Sequence, residues 1–212
     1  MASRLEDLFC HYTNPEKKVA HADLSREVNT AYAGHLEAQA VRYRCSVDDL
    51  DKAFGGAEHF ITIAEGCYGY AVEGQLQTSN TGLNHDKWLD FASFINQARW
   101  DAEFYGVNSL ALNLEHVFKL GAIRARLDCD TIGEAAYDAL PEVIRDTAVG
   151  YLSLHEVAFL ACMTEKAVRN ATQPIAADRL ATRKEGKRTV VDSPEALRWL
   201  KGRRNFVQTE LV

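Results

Sequence analysis

Along most of the 212 residues, apolar side chains recur at helical spacing. From Leu24 to Arg44, the positions Val28, Ala31, Tyr32, Leu36, Ala40 and Tyr43 fall three or four apart, which predicts a helix. Ser46-Val-Asp-Asp49 opens a second helix with serine as N-cap and an acid three positions on. Gly55-Gly56 stops it, because glycine readily takes the left-handed cap conformation. A third is predicted over residues 57–65. Asp86 to Phe104 carries Trp88, Phe91, Ile95, Ala98 and Ala102 on one stripe. Asn108 to Leu127 carries Leu110, Leu112, Leu114, Val117, Phe118, Leu120 and Ile123, enough for a helix central to a core or an interface. Helices over Thr131–Ala139 and Pro141–Val149 follow, the latter with proline in its first turn, where the missing N–H costs nothing. Residues 1–22 read as a short helix and a lead-in. Residues 66–84 are rich in glycine and polar side chains, yet Tyr68, Tyr70 and Val72 alternate, so a loop and a hairpin both fit.

After Gly150 the pattern changes. From Tyr151 onward the order is helix, tight turn, second helix, basic hairpin and closing helix. Ser153-Leu-His-Glu156 is a capping box that opens the first of these, with Leu154, Val157, Ala158 and Ala161 as its inner stripe. Ala161-Cys-Met-Thr164 makes the turn, and Thr164 caps the second helix. There Ala167, Val168 and Ala171 point inward, while Lys166, Arg169 and Asn170 face out beside Glu165, and Gln173 ends the helix before Pro174. Arg179 to Val191 reads as two short strands around Glu185-Gly186, with Arg183, Lys184, Lys187 and Arg188 flanking the tip. Asp192 or Ser193 then caps a closing helix. Leu197 and Leu200 are expected to pack on the helix pair, with Trp199 along the hairpin.

The overall charge of −6 is unevenly spread. Residues 151–212 hold eleven Lys and Arg against seven Asp and Glu, a net of +4, and the remainder carries −10. Cations gathered in one short segment on an acidic carrier are the electrostatic footprint of a nucleic-acid-contacting module.

Other chemistry is thinly represented. Cys10, Cys45, Cys67, Cys129 and Cys162 are odd in number and scattered, and none forms C-x-x-C, so buried reduced thiols are expected rather than disulfides or zinc. The seven histidines include no H-E-x-x-H, and there is no G-x-S-x-G, phosphate-binding loop or dinucleotide fingerprint. The acid pairs Asp49/Asp51 and Asp128/Asp130 read as capping or solvated groups before they read as metal ligands. No catalytic residue, metal site or cofactor is therefore assigned. No apolar run approaches bilayer length and no apolar signal core opens the chain, so a cytoplasmic, non-membrane protein is expected. Trp88, Phe91, Phe94, Trp100, Phe104 and Tyr105 fit core plus a dimer surface, or a ligand pocket.

Residues 151–204 resemble the small winged helix-turn-helix modules of the excisionase and MerR-like group. The likeness rests on Val157-Ala158, Ala167-Val168-Arg169, the Gly186-Lys-Arg188 hairpin and Asp192 with Trp199-Leu200, and it covers about a quarter of the chain. MerR regulators carry this module at the N-terminus, followed by a long coiled coil, which this chain lacks, and a minimal excisionase is far shorter. The resemblance implies duplex DNA binding through the second helix and the wing. The expectation is a mainly α protein: a helical dimerisation or sensing domain over 1–150 and a winged helix-turn-helix domain with a two-stranded wing over 151–212. Its expected function is that of a homodimeric, sequence-specific regulator, a repressor on a palindromic operator, with a small-molecule or protein effector at the first domain. Thr164, Glu165, Lys166, Arg169, Asn170, Gln173, Arg183, Lys184, Lys187 and Arg188 are its expected double-stranded DNA contacts. The alternatives are an antitoxin-like interaction protein and an excisionase-type architectural factor.

Overall fold

A computed structural model describes residues 14–78, 85–145 and 147–212. The chain is mainly helical, with a little sheet. Helix α1 (His21–Tyr43) is followed by α2 (Val47–Phe54), α3 (Glu58–Ala71), α4 (His85–Tyr105) and α5 (Leu112–Ile132). The local signals behave as their chemistry requires. The Ser46 hydroxyl accepts from the Asp49 N–H at 3.1 Å, and Gly55 ends α2 at φ +81°.

Helix α3 runs through Gly66 and Gly69 as far as Ala71, where the alternation of Tyr68, Tyr70 and Val72 also allowed a hairpin. Cys67, Tyr68, Tyr70 and Ala71 are all buried, so packing on α1 and α5 outweighs the helix-weakening glycines. Gln75–Leu76 forms a short strand, β1. The rest of the 66–84 stretch, from Ser79, lies outside the described residues, as do residues 1–13 of the stretch 1–22 read as a short helix and a lead-in. The predicted pair over 131–149 is shorter than its pattern: α6 (Glu134–Ala139) and α7 (Glu142–Arg145).

Helices α1, α3, α4 and α5 pack mutually around a first core that includes Leu24, Val28, Ile63, Trp88, Phe91, Ile95, Leu114 and Phe118. Trp88 is fully enclosed, edge-on to Phe118 at 5.2 Å and to Tyr70 at 6.4 Å. Glu27 of α1 accepts from the N–H groups of Asn113 and Leu114, so a carboxylate meets the positive end of α5.

The remaining elements are β2 (Tyr151–Ser153), α8 (Leu154–Ala161), α9 (Glu165–Ala171), β3 (Arg183–Glu185), β4 (Arg188–Asp192), α10 (Ser193–Leu200) and β5 (Glu210–Leu211). Strand β4 lies between β2 and β3, antiparallel to both, with Leu152 opposite Val191 and Lys184 opposite Thr189. Tyr151 therefore begins a strand, and the first helix of this region starts after it. A second core gathers Leu152, Val157, Ala158, Phe159, Val168, Leu180, Val191, Trp199 and Leu200, and α5 adds Ile123 and Leu127 to it. Trp199 belongs inside this core, with its indole N–H donated to the Asp178 carbonyl at 3.1 Å, instead of lying along the hairpin.

Helix α5 thus serves both cores, and polar groups tie the two further. Arg126 pairs with Glu156 at 2.5 Å. Arg124, 2% exposed, donates to the carbonyls of Ala71 and Val207 and to the Thr209 hydroxyl. Asp128 accepts from Tyr70 and Thr209, both at 2.8 Å, and burial pushes its carboxyl above the usual range. Strand β5 then pairs in parallel with β1, Gln75 opposite Glu210.

Candidate nucleic-acid interface

The α8–α9 pair is built by its caps. Ser153 accepts from the Glu156 N–H while the Glu156 carboxylate accepts from the Ser153 N–H, closing the capping box. Cys162 takes a left-handed conformation (φ +51°) to end α8, and the Thr164 hydroxyl accepts from the Ala167 N–H at 3.1 Å to start α9. Val168 is wholly buried, which fixes the rotation of α9 and turns Lys166, Arg169 and Asn170 outward. Gln173, just beyond the helix, is exposed as well.

These outward groups are unequally available. The side chains of Lys166, Asn170 and Gln173 make no hydrogen bond or ion pair with described residues. Arg169 is held by Glu165 at 2.6 Å, one helical turn back, and Glu165 also lies 3.4 Å from the His155 ring. On the hairpin, Arg183 is occupied on both sides: it bonds Asp192 at 2.7 Å, pairs with Glu185, and lies 5.0 Å over the Tyr151 ring. Lys184 donates to Thr189 at 2.8 Å. Lys187 and Arg188, either side of Gly186 (φ +57°), are exposed and have no side-chain partner among the described residues.

The segment joining α9 to the hairpin, residues 172–182, is fixed by a group of charges that sequence reading did not single out. Arg198 bonds Asp178 at 2.8 Å, Glu195 at 2.7 Å and the Arg179 carbonyl at 3.0 Å, and it holds the Glu195 carboxyl below its ordinary range. Arg203 pairs with Asp178 and stacks over Trp199 at 4.2 Å. The one available signal was an Arg three residues after a Glu in a helix's first turn, which is too common to point anywhere.

These pairs matter electrostatically. Glu156, Glu165, Asp178, Glu185, Asp192 and Glu195 each have a cationic partner within the protein. Among the cations not paired with an acid in the described residues, Lys166, Lys184, Lys187 and Arg188 stand on the outer side of α9 and on the hairpin. A surface of this kind presents exposed cations at its edges and hydrogen-bonding side chains at its centre.

The acid pairs have structural work. Besides Asp128, Asp130 accepts from the Gly150 N–H at 3.1 Å and the Ser193 hydroxyl at 2.5 Å, and Asp51 accepts from Tyr32 at 3.0 Å. Among the described residues no group of three His, Cys, Asp or Glu could hold a metal ion, and no helix is long and apolar enough to cross a membrane. Cys67 and Cys129 are buried, and desolvation pushes the Cys129 thiol up to about 12. Cys45 is exposed and Cys162 half-buried, contrary to a uniformly buried set, and Cys10 lies outside the described residues. No protein family, curated protein or solved structure matches the chain.

Proposed function

We propose that this chain is a sequence-specific DNA-binding regulator of transcription, acting as a homodimer. The observation that carries the reading is the outward face of α9, with Lys166, Arg169 and Asn170 side by side, flanked by Lys187 and Arg188 of the β3–β4 tip, which have no side-chain partner among the described residues, while the acids nearby are neutralised internally. The order β2, α8, α9, hairpin, α10, with the hairpin extending a three-stranded sheet, supports a winged helix-turn-helix. In such a unit α9 enters the major groove. There Arg169, released from Glu165, suits guanine and Asn170 suits adenine, while Lys187 and Arg188 follow the phosphates. Thr164 and Gln173 mark the ends of the contact, and Lys184 and Arg183 support the wing. A dimer surface is available on α4, where Trp100 and Phe104 stack at 4.6 Å while remaining 55% and 66% exposed. Occupation of a promoter by such a dimer would repress.

Selection of bound duplexes from a random library at near-physiological salt tests this. An enriched palindromic motif, lost on Arg169→Ala, is the expected outcome. Binding without enrichment that vanishes as salt rises would overturn sequence-specific recognition. It would shift weight to an interaction protein that uses the same aromatic pair and the acidic half.

A further inference from the structure

A cleft of about 510 Å³ opens between α1, the α2–α3 turn and α4, well within the size range of small-molecule sites. Its walls are aromatic: Phe60 and Phe94 stack at 4.3 Å, and Phe54 lies across from them against the His35 ring at 6.1 Å, nearly parallel. The polar groups converge on one place. Asp101, 1% exposed, is bonded by His35 Nδ1 at 2.7 Å and by the Gln97 amide N at 2.9 Å. With Nδ1 donating to the buried carboxylate, the ring in its neutral form has Nε2 as an acceptor. Gln97 commits one of its two amide N–H groups to the same carboxylate and keeps its carbonyl oxygen as an acceptor. His35 lines the cleft and keeps 24% of its side chain accessible. Among the described residues the lining contains no Lys or Arg, and its one carboxylate, Asp90, stands 3.6 Å from the His59 ring, so nothing but that histidine would attract an anion.

One wall is loosely attached. Helix α2 has no fully buried residue. It is held by half-buried Leu50 and by the Tyr32–Asp51 bond, and it is followed by two successive glycines at φ +81° and +82°. Phe54, at its last turn, is 51% exposed despite lining the cleft. A ring inserted between Phe54 and the Phe60–Phe94 pair would cover that exposed face.

We propose that this cleft binds a planar heteroaromatic small molecule, neutral or cationic, which donates a hydrogen bond to His35 and Gln97, with α2 closing over it through Phe54. As a ligand site it stands apart from the DNA-binding reading. As the effector site of a regulator it rests on that reading. Binding is therefore measured on the full chain without DNA, so that failure of one leaves the other to be judged by itself.

The probe is 2-aminobenzimidazole, followed by titration calorimetry and ligand-observed NMR, with benzoate as the anionic comparison. Saturable binding with Kd at or below about 5 mM is expected, which is reasonable for so small a molecule. Benzoate should not bind. Phe54→Ala should weaken the probe at least about fivefold, and Ser93→Leu, at an exposed position lining the cleft, should abolish binding by filling the space. Both positions are exposed, so the fold is retained and checked by thermal unfolding. His35→Phe should also lose the probe. Absence of saturation up to about 20 mM, equal binding of benzoate, or wild-type affinity in both Phe54→Ala and Ser93→Leu would each overturn the proposal.

Discussion

Residues 14–145 bury Asp101, Glu115, His116, Arg124, Arg126 and Asp128 at no more than 3% exposure, whereas Ser193 is the sole polar residue classed as buried among the described residues from 147 onward. In the helical body, charges are enclosed and matched to specific partners, such as Arg99 for Glu115 and Tyr70 and Thr209 for Asp128. In the later half they stand in water and pair on the surface. A buried ion adds little net stability when satisfied but costs several kcal/mol when its partner is removed, while a surface charge changes stability little either way. The two regions should therefore answer substitution differently: one through folding, the other through what it binds.

The largest contrast is expected at Arg124. Arg124→Ala removes donors to Ala71, Val207 and Thr209 and leaves Asp128 enclosed without its nearby cation, so a loss of about 3–5 kcal/mol is expected in urea denaturation. A loss below about 1 kcal/mol would break the comparison.

Next comes His116, stacked on Phe159 at 5.5 Å, where burial, helped by Lys17 and Lys119, lowers its pKa to about 4. The folded value lies below the ordinary 6.5, so between these limits the unfolded chain holds more protons. This contribution is complete above pH 6.5 and is lost as pH falls toward 4, by about 3 kcal/mol. Glu27 and Asp128, whose carboxyls burial raises, act in the opposite direction. The difference between wild type and His116→Gln across pH 7 to 4 isolates the histidine, and parallel curves would refute its role.

Ser153→Ala should cost about 1 kcal/mol by opening the capping box, with α8 remaining in place on its buried face. Smallest of all in stability is the pair Lys187→Ala/Arg188→Ala, expected to stay within about 0.5 kcal/mol of wild type. Those two should nevertheless flatten the salt dependence of duplex binding by up to about 2 in the log–log slope. An unchanged slope removes the hairpin tip from the interface and leaves α9 alone.

What could be seen in the sequence was what acts over a few residues. Ser46 with Asp49, Gly55, Ser153 with Glu156, and Thr164 are cap signals whose partners lie within four positions, and each stands where expected. The outward set Lys166, Arg169 and Asn170 follows from one buried valine and helical geometry. Strand β2 escaped notice because its three residues acquire meaning only from Val190, Val191 and Asp192, nearly forty positions later. The cleft was hidden for the same reason: His35 and Asp101 are 66 residues apart, and an isolated histidine on a helix face gives no hint of a carboxylate on another. Phe94 was singled out as an aromatic, but nothing nearby in sequence names Phe60 as its stacking partner. Trp199 was misplaced because amphipathic spacing says which face is apolar and not which neighbour covers it.

The bonds from Arg124 to Val207 and Thr209 also order events in time. These partners follow Arg124 by 83 and 85 residues, so at ordinary translation speeds they leave the ribosome roughly 4–17 s after it. During that interval helices α1, α3, α4 and α5 are already made, yet the guanidinium at their centre lacks two of its acceptors, and β1 lacks β5. The helical body can collapse before then but cannot finish. A nascent chain stalled after residue 200 would carry every element of the α8–α10 region and still hold an unfinished core in the other half. In a cell, completion of the earlier-made half becomes a record that translation has passed residue 209.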